Sequence, residues 1–319
     1  MFISFIIPLY NCEQYVERCL DSIADAQLNP NDYEIVVVND GSTDHGPEIC
    51  SKYSKFKIKL FHQINSGQAT ARNLGLSKAK GDYVWFVDAD DTIIPEIVGK
   101  LHNEVKKNNS WDMVSFNYQM EYGDHIENVS LADNRVVFDR GIDYLKRFRG
   151  GSYLWNKLFN RQSLSRPFLD GTSHIEDMCF NVQNIISFKK ILFINTYGYL
   201  YNRTNVISTS HSHGKEATKK ANEDAYRVYT SLYQDMISWK KDEVKSYLYN
   251  TLYFGVSGHL YTMVKESSYD DIQDYIERYK KLGLYPIKKT PSRKANYFAF
   301  FANRKWFLFI LYKLYHLTH

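Results

Sequence analysis

Cysteine is scarce: Cys12, Cys19, Cys50 and Cys179 are the only four in 319 residues, and no two form a CxxC pair or a metal-ligand spacing. That excludes a disulfide scaffold and a structural zinc site, and leaves buried free thiols in a reducing cytosol as the expectation. Long apolar runs are missing as well. The most aromatic stretch, Tyr297 to Tyr315, is interrupted by Arg304, Lys305 and Lys313, so no bilayer-spanning helix is expected. Met1 is followed by Phe2 to Pro8, which lacks a basic start and is too short for the apolar core of a signal peptide; it reads as a first strand. A dominant charge is absent too. With 40 Lys and Arg against 36 Asp and Glu, mostly interspersed, the net charge of +4 gives no footing for a nucleic-acid partner. No internal repeat and no low-complexity linker stands out. A soluble or peripheral protein, cytoplasmic or on the inner face of the cell membrane, is the expectation.

What is present is a large core and many rings. Apolar residues make up 44% of the chain and aromatics 16%, the latter concentrated toward the C-terminal half, which suits a sugar-stacking or membrane-facing surface. The first third alternates strand and helix signals. Apolar Ile3 to Pro8 precedes Glu13 to Ala26, where Tyr15, Val16, Cys19, Leu20 and Ile23 recur at helical spacing. Glu34 to Val38 is a second strand; a helix over Gly46 to Tyr53, a strand over Lys57 to Phe61, a helix over Ser66 to Ala79 and a strand at Tyr83 to Val87 follow. A βαβαβαβ order implies an α/β fold, a mostly parallel sheet with helices on both faces, whose ligands bind beyond the carboxyl ends of the strands.

Three predicted strand ends carry polar clusters: Leu9-Tyr10-Asn11, Asn39-Asp40-Gly41-Ser42-Thr43-Asp44 and Asp88-Ala89-Asp90-Asp91. Crowding three acids costs repulsion that a hard divalent ion beside phosphate oxygens would relieve. The competing reading makes Asp90-Asp91 the cap and first turn of the next helix, before Pro95. Beyond Trp111 the pattern loosens into a strand at Met113 to Tyr118, a polar stretch over Glu121 to Asn134, helical pieces around Ile142 to Phe148 and Leu154 to Phe159, and a strand over Ile191 to Tyr201. Lys215 to about Leu282 reads as charged helix with Leu248, Leu252 and Val256 on one buried face. The expected organisation is an α/β domain over 1–210, in halves meeting near 110, and a helical region over 211–319.

Five segments in this order resemble the family-2 glycosyltransferases of bacterial surface polysaccharides, which have the Rossmann-like GT-A nucleotide-diphospho-sugar transferase fold. They are Ile6-Ile7-Pro8-Leu9-Tyr10-Asn11, Val37-Val38-Asn39-Asp40-Gly41-Ser42-Thr43-Asp44, Gly67-Gln68-Ala69-Thr70-Ala71-Arg72-Asn73-Leu74-Gly75, Val87-Asp88-Ala89-Asp90-Asp91 and Ile175-Glu176-Asp177. The resemblance implies an inverting, metal-dependent transfer of a hexose or N-acetylhexosamine from a UDP-sugar to a hydroxyl of a glycan acceptor, free or lipid-linked. It implies that Pro8, Tyr10 and Asn11 flank the base, that Asp40 with Ser42 reads it, that Arg72 and Asn73 line the diphosphate pocket, and that Asp88 meets ribose and sugar. Asp90 would hold Mg²⁺ or Mn²⁺, Asp177 would be the base, and Glu176 would support it. Trp155, Lys157 and His174 fall near the acceptor, and Arg203 near the diphosphate. A nucleotidyltransferase, or an inactive sugar- or membrane-binding protein of this fold, is the alternative; the former would carry a Gly-rich basic loop where this chain has Leu9-Tyr10-Asn11-Cys12-Glu13.

Two features stand outside that resemblance. His211 and His213 are spaced as metal ligands or as solvated loop histidines. The tail over 297–315 suits the interface of an anionic membrane, with docking on the core or on a second subunit as the alternative.

Overall fold

The structure is a computed structural model describing residues 3–26, 28–107, 111–148, 153–205 and 214–318. His211, His213 and the expected boundary near residue 210 lie outside the described residues. The chain divides into two compact units, residues 1–208 and 209–319.

In the first unit the alternating third folds as strands β1 (Ile3–Leu9), β2 (Tyr33–Asp40), β3 (Ile58–Gln63) and β4 (Tyr83–Phe86). Helices α1 (Val16–Ala24), α2 (Gly46–Lys52) and α3 (Gln68–Lys78) connect them. All four strands are parallel neighbours in the order β3-β2-β1-β4. Their β-branched runs are buried because both faces are covered. Ile3, Phe5, Ile7 and Leu9 join one core cluster with Ile35, Val37, Tyr83 and Trp85, while Val36 and Val38 face Ala71 of α3 on the other side. Helix α3 comes very close to the sheet at Gly75, where a Cβ would meet Ile6 Cγ2 at 2.4 Å.

Beyond β4 the sheet becomes mixed. It continues with β5 (Thr92–Ile93), β6 (Met113–Glu121), β7 (Ile126–Val129), β8 (Val136–Phe138), β9 (Lys157–Asn160) and β10 (Ile191–Asn202). Helices α4 (Glu96–Lys107), α5 (Gly141–Arg147) and α6 (Glu176–Ile185) lie between them in sequence. The strand order runs on as β4-β9-β6-β10-β5, with β6 and β10 parallel and β9 antiparallel to both its neighbours. Two expectations are corrected here. Leu154 to Phe159 is not helical: its second half is β9, drawn into the gap between β4 and β6, where Leu158 and Phe159 are fully buried. The polar stretch after Glu121 contains β7, paired with β6 across a tight turn. Trp85 donates its indole N–H to the Trp155 carbonyl at 2.7 Å, and Phe168 stacks on Phe180 with ring centroids 3.9 Å apart. The four cysteines are free thiols, three of them buried.

The second unit is helical: α7 (Lys215–Ser238), α8 (Asp242–Glu266), α9 (Tyr269–Lys281), α10 (Arg293–Ala302) and α11 (Lys305–Thr318). Leu248, Leu252, Val256, Leu260 and Met263 form the buried stripe of α8. Helix α9 starts with a capping box in which Ser268 and Asp271 satisfy each other's backbone N–H groups. A buried polar chain ties three helices: the Tyr279 hydroxyl donates to His259 Nδ1 at 2.7 Å, and His259 Nε2 donates to Asn222 Oδ1 at 3.1 Å.

Burial, aided by the Arg278 charge, pushes the His259 imidazole down to about 4, below its ordinary 6.5. The unfolded chain therefore binds a proton that the folded one refuses. Stability is complete above pH 6.5 and falls as the pH drops toward 4, by on the order of 2 to 3 kcal/mol in total. Denaturant unfolding of wild type and His259→Gln across this window checks it: the variant should decline less steeply, and equal slopes would remove His259 from the account.

Candidate active site

The carboxyl ends of β1, β2 and β4 come together as loops stitched by short polar side chains. Asn11, with a left-handed φ of 51°, accepts from the Thr43 backbone N–H at 2.9 Å, and its own N–H donates to Ser42 Oγ at 3.2 Å. Asn39 Oδ1 caps the turn by accepting from Ser42 N at 2.8 Å. Asp40 is buried and accepts from Gln63 Nε2 and Ser66 N, both at 2.8 Å, and from Gly67 N at 3.0 Å. It thereby pins the loop that opens α3, while Oδ2, which accepts from Gly67 N, retains acceptor capacity. Gly67 needs to be glycine twice over, for its φ of +88° and for the Ser173 hydroxyl that a Cβ would meet at 2.8 Å. Tyr10 stands 48% exposed at the rim, and Pro8 is buried inside β1 opposite Val38.

From α3, Arg72 reaches the centre. Its guanidinium is almost wholly buried and donates through Nη2 to Asp88 Oδ1 at 2.8 Å, and through Nη1 to Glu176 Oε1 at 2.9 Å and Asp177 Oδ1 at 2.7 Å. Burial alone would lower its pKa, but Asp177, Asp88 and Glu176 outweigh that and raise it, so the charge is permanent. One cation thus joins the end of β4 to the first turn of α6. The residue before that turn, Ile175, is held at a φ of 53°, a left-handed conformation that a β-branched side chain rarely adopts. The Asp177 side chain remains 22% exposed. Burial pushes its carboxyl well above the ordinary range; Arg72 opposes this, while Glu176 and Asp88 add to it.

The three acids after β4 have different surroundings. Asp88 also accepts from Gln68 Nε2 at 3.2 Å, and its backbone N–H donates to the Tyr199 hydroxyl at 3.0 Å. Asp90 accepts from Asn205 Nδ2 at 2.7 Å, and burial, then the Asp88 charge, raises its pKa. Asp91 is not a helix cap. It is buried, accepts from the Tyr199 hydroxyl and the Asn202 backbone N–H, each at 2.8 Å, and so anchors the acidic loop to β10. Burial, with Asp90 and Asp88 beside it, holds its carboxyl well above the usual range.

Asp90 fits a divalent cation in one respect: its raised proton affinity is the cost of an anion held without a full counter-charge, which a cation would relieve. No group of three or more His, Cys, Asp or Glu that could hold a metal ion occurs among the described residues.

Several expected contacts lie elsewhere. Asn73 spends its amide on the loop between β9 and α6, donating to the Phe168 carbonyl at 2.9 Å and Asp170 Oδ1 at 2.7 Å. Trp155 is buried and stacks on Tyr199 with centroids 4.5 Å apart. Lys157 is buried with its ammonium on the Tyr153 carbonyl and, at 2.8 Å, on Asn156 Oδ1, and desolvation pushes it down to about 7. Neither side chain presents a surface to an acceptor, although Lys157 still acts electrostatically on Asp177. His174 is half-buried two positions before Glu176. Arg203 is exposed and lies over the Tyr201 ring at 5.5 Å, with none of the site's carboxylates among its hydrogen-bond partners. Sequence reasoning missed Gln68, Tyr199, Asn202 and Asn205. Gln68 lay within a matched segment and Tyr199 within the predicted strand over Ile191 to Tyr201, and neither carried a local signal of its role.

Comparison with known proteins sets the chain among glycosyltransferases. TarP of Staphylococcus aureus, a poly(ribitol-phosphate) β-N-acetylglucosaminyltransferase, is 24% identical over 95% of this chain and 93% of its own length. EpsJ of Bacillus subtilis, described as an uncharacterised glycosyltransferase, is 29% identical over 72% of this chain and 69% of its own. The crystal structure of S. aureus TarS residues 1–349 in complex with UDP-GlcNAc superposes with a TM-score of 0.72 over all of this chain and 93% of that one; at 18% identity it shows the shared GT-A fold. The sequence profile of Glycosyl transferase family 2 matches residues 4–166, just over half of the chain. Fold, enzyme class and the polysaccharide type of its relatives agree, and the chain belongs to glycosyl transferase family 2.

Proposed function

We propose that this glycosyltransferase moves a hexose or N-acetylhexosamine from a UDP-sugar to a hydroxyl of a surface glycan, with inversion at the anomeric carbon. The observation that carries this is the reach of Arg72 from Asp88 to Asp177, which sets a partly exposed carboxylate of raised proton affinity beside the strand-end acids. In one displacement the acceptor oxygen bonds to the anomeric carbon, the bond to the β-phosphate breaks, and UDP leaves with the electron pair. Asp177 takes the acceptor proton as that bond forms, and a raised proton affinity suits it to the task. Glu176 stays on Arg72, which holds both carboxylates in register. The reserve acceptor capacity of Asp40 suits the imide N–H of uracil, and Tyr10 is free to cover the ring. A divalent cation, Mg²⁺ or Mn²⁺, held by Asp90 and the diphosphate would neutralise the charge on the leaving group. Support for UDP comes from the UDP-GlcNAc complex of TarS, and support for transfer to a hydroxyl of a polymer comes from TarP, a poly(ribitol-phosphate) β-N-acetylglucosaminyltransferase.

UDP release from a panel of UDP-sugars, with Mn²⁺ and with chelator, tests the donor and the cation: release confined to the metal-loaded samples is expected, and no release from any donor would contradict the reading. Asp177→Asn should cut transfer by about 10²- to 10⁴-fold while retaining UDP binding; Asp90→Ala should weaken UDP binding only in the presence of metal. Loss of UDP binding in Asp177→Asn would overturn the assignment of roles. Because the base form of Asp177 appears as the pH rises through its elevated pKa, wild-type transfer should increase with pH across the neutral range, and a rate that falls there would exclude Asp177 as the base.

A further inference from the structure

The residues given roles above all belong to the first unit, and two helices of the second carry unusual faces. In α11 Leu308 is buried, whereas Trp306 is 75%, Phe309 43%, Ile310 38% and Leu317 80% exposed. At about 100° per residue, positions 306, 310, 313 and 317 share one side, with 309 at its edge. The helix therefore turns Trp306, Ile310 and Leu317 outward around Lys313, the reverse of a helix that buries its large apolar side chains in a core. On α10, Tyr297 and Phe300 are 72% and 50% exposed. Basic groups border these rings: Arg304 lies 4.0 Å over Phe300 and Lys313 5.5 Å over Phe309. The segment is fastened in this pose by the Tyr269 hydroxyl, which donates to the Lys305 carbonyl at 3.2 Å, and by His316 Nε2, 3.1 Å from the Val264 carbonyl.

Charge says what would cover such a face. From residue 278 to 319 there are ten Lys and Arg and no Asp or Glu, so this stretch carries +10 and the preceding 277 residues carry −6 within the total of +4. We propose that the outward face of α10 and α11 docks on the surface of an anionic lipid bilayer, with the helices lying in the interface. Aromatic rings and Ile310 would enter the headgroup boundary while the flanking bases meet lipid phosphates. A second copy of the chain would have to bring Arg304, Lys305 and Lys313 against their like, and a nucleic acid would leave Ile310 and Leu317 without a use. Crossing the bilayer is not the mode: α11 has 14 residues, and no described helix is long and apolar enough to span a membrane.

The test is co-sedimentation of the full chain with vesicles of phosphatidylglycerol and phosphatidylcholine, against pure phosphatidylcholine. Binding to the anionic vesicles should be stronger by about tenfold or more and should weaken as salt is raised. Trp306→Ser with Ile310→Ser and Leu317→Ser, and separately Lys305→Glu with Lys313→Glu, should each lose about tenfold or more of that binding with thermal unfolding unchanged. Equal binding to both vesicles, or none to either, would overturn the proposal. So would a wild-type oligomer that falls apart in the triple serine variant, which would assign the face to a second copy. Vesicle binding is read without sugar transfer, so its failure and that of the transfer reaction are separate events.

Discussion

One buried guanidinium holds this site together. Arg72 joins carboxylates from two elements far apart in sequence, Asp88 at 16 positions and Asp177 at 105. Asp88, Glu176 and Asp177 around one cation, with Asp90 and Asp91 beside them, leave a net negative cluster, and taking that many charges out of water is costly unless the oxygens find donors. The surrounding structure meets the demand locally: Gln68 serves Asp88, Asn205 serves Asp90, and Tyr199 with Asn202 serves Asp91. What is left over is the raised proton affinity of Asp90, Asp91 and Asp177, of which Asp177 keeps an exposed edge. A structural cluster would be selected to remove that residue of repulsion, whereas a site that receives a polar ligand and a proton makes use of it.

Rigid scaffolding sets where this chemistry occurs. The Tyr199 hydroxyl donates to Asp91 and accepts from the Asp88 backbone, so β10 fixes both ends of the acidic turn. Trp155 stacks on Tyr199 and takes the Trp85 indole N–H on its carbonyl, which ties that support back to β4 and β9. Asp40 does the same for the opening of α3, through the loop from Gln63 to Gly67. Positioning by packed strands is more exact than positioning by loops alone.

The sequence disclosed the elements whose evidence is local. Val36 to Val38 and Tyr83 to Phe86 read as strands because burial on both faces demands unbroken apolar runs. The strand-end acids and the Glu176-Asp177 pair stood out because charge beside such runs has few structural uses. Lys157-Leu158-Phe159 was illegible: a run that short fits helix or strand equally, and only the gap between β4 and β6 decides it. Asp91 carries the local signature of a helix cap, while the partners that define it lie 108 and 111 positions away. Asn73 likewise sits in a matched segment, yet its amide is committed to residues 95 and 97 positions on. Long-range hydrogen bonds of this kind leave no periodic trace.

The central claim, that Arg72 exists to neutralise and align these carboxylates, is tested most directly by a double-mutant cycle on folding stability with Arg72→Met and Glu176→Gln. Arg72→Met alone leaves the acids facing one another and should cost about 3 to 5 kcal/mol. Adding Glu176→Gln to it should then cost much less than the same change in wild type, or restore stability, giving a coupling of about 1 kcal/mol or more. Strictly additive effects of the two substitutions would contradict the account.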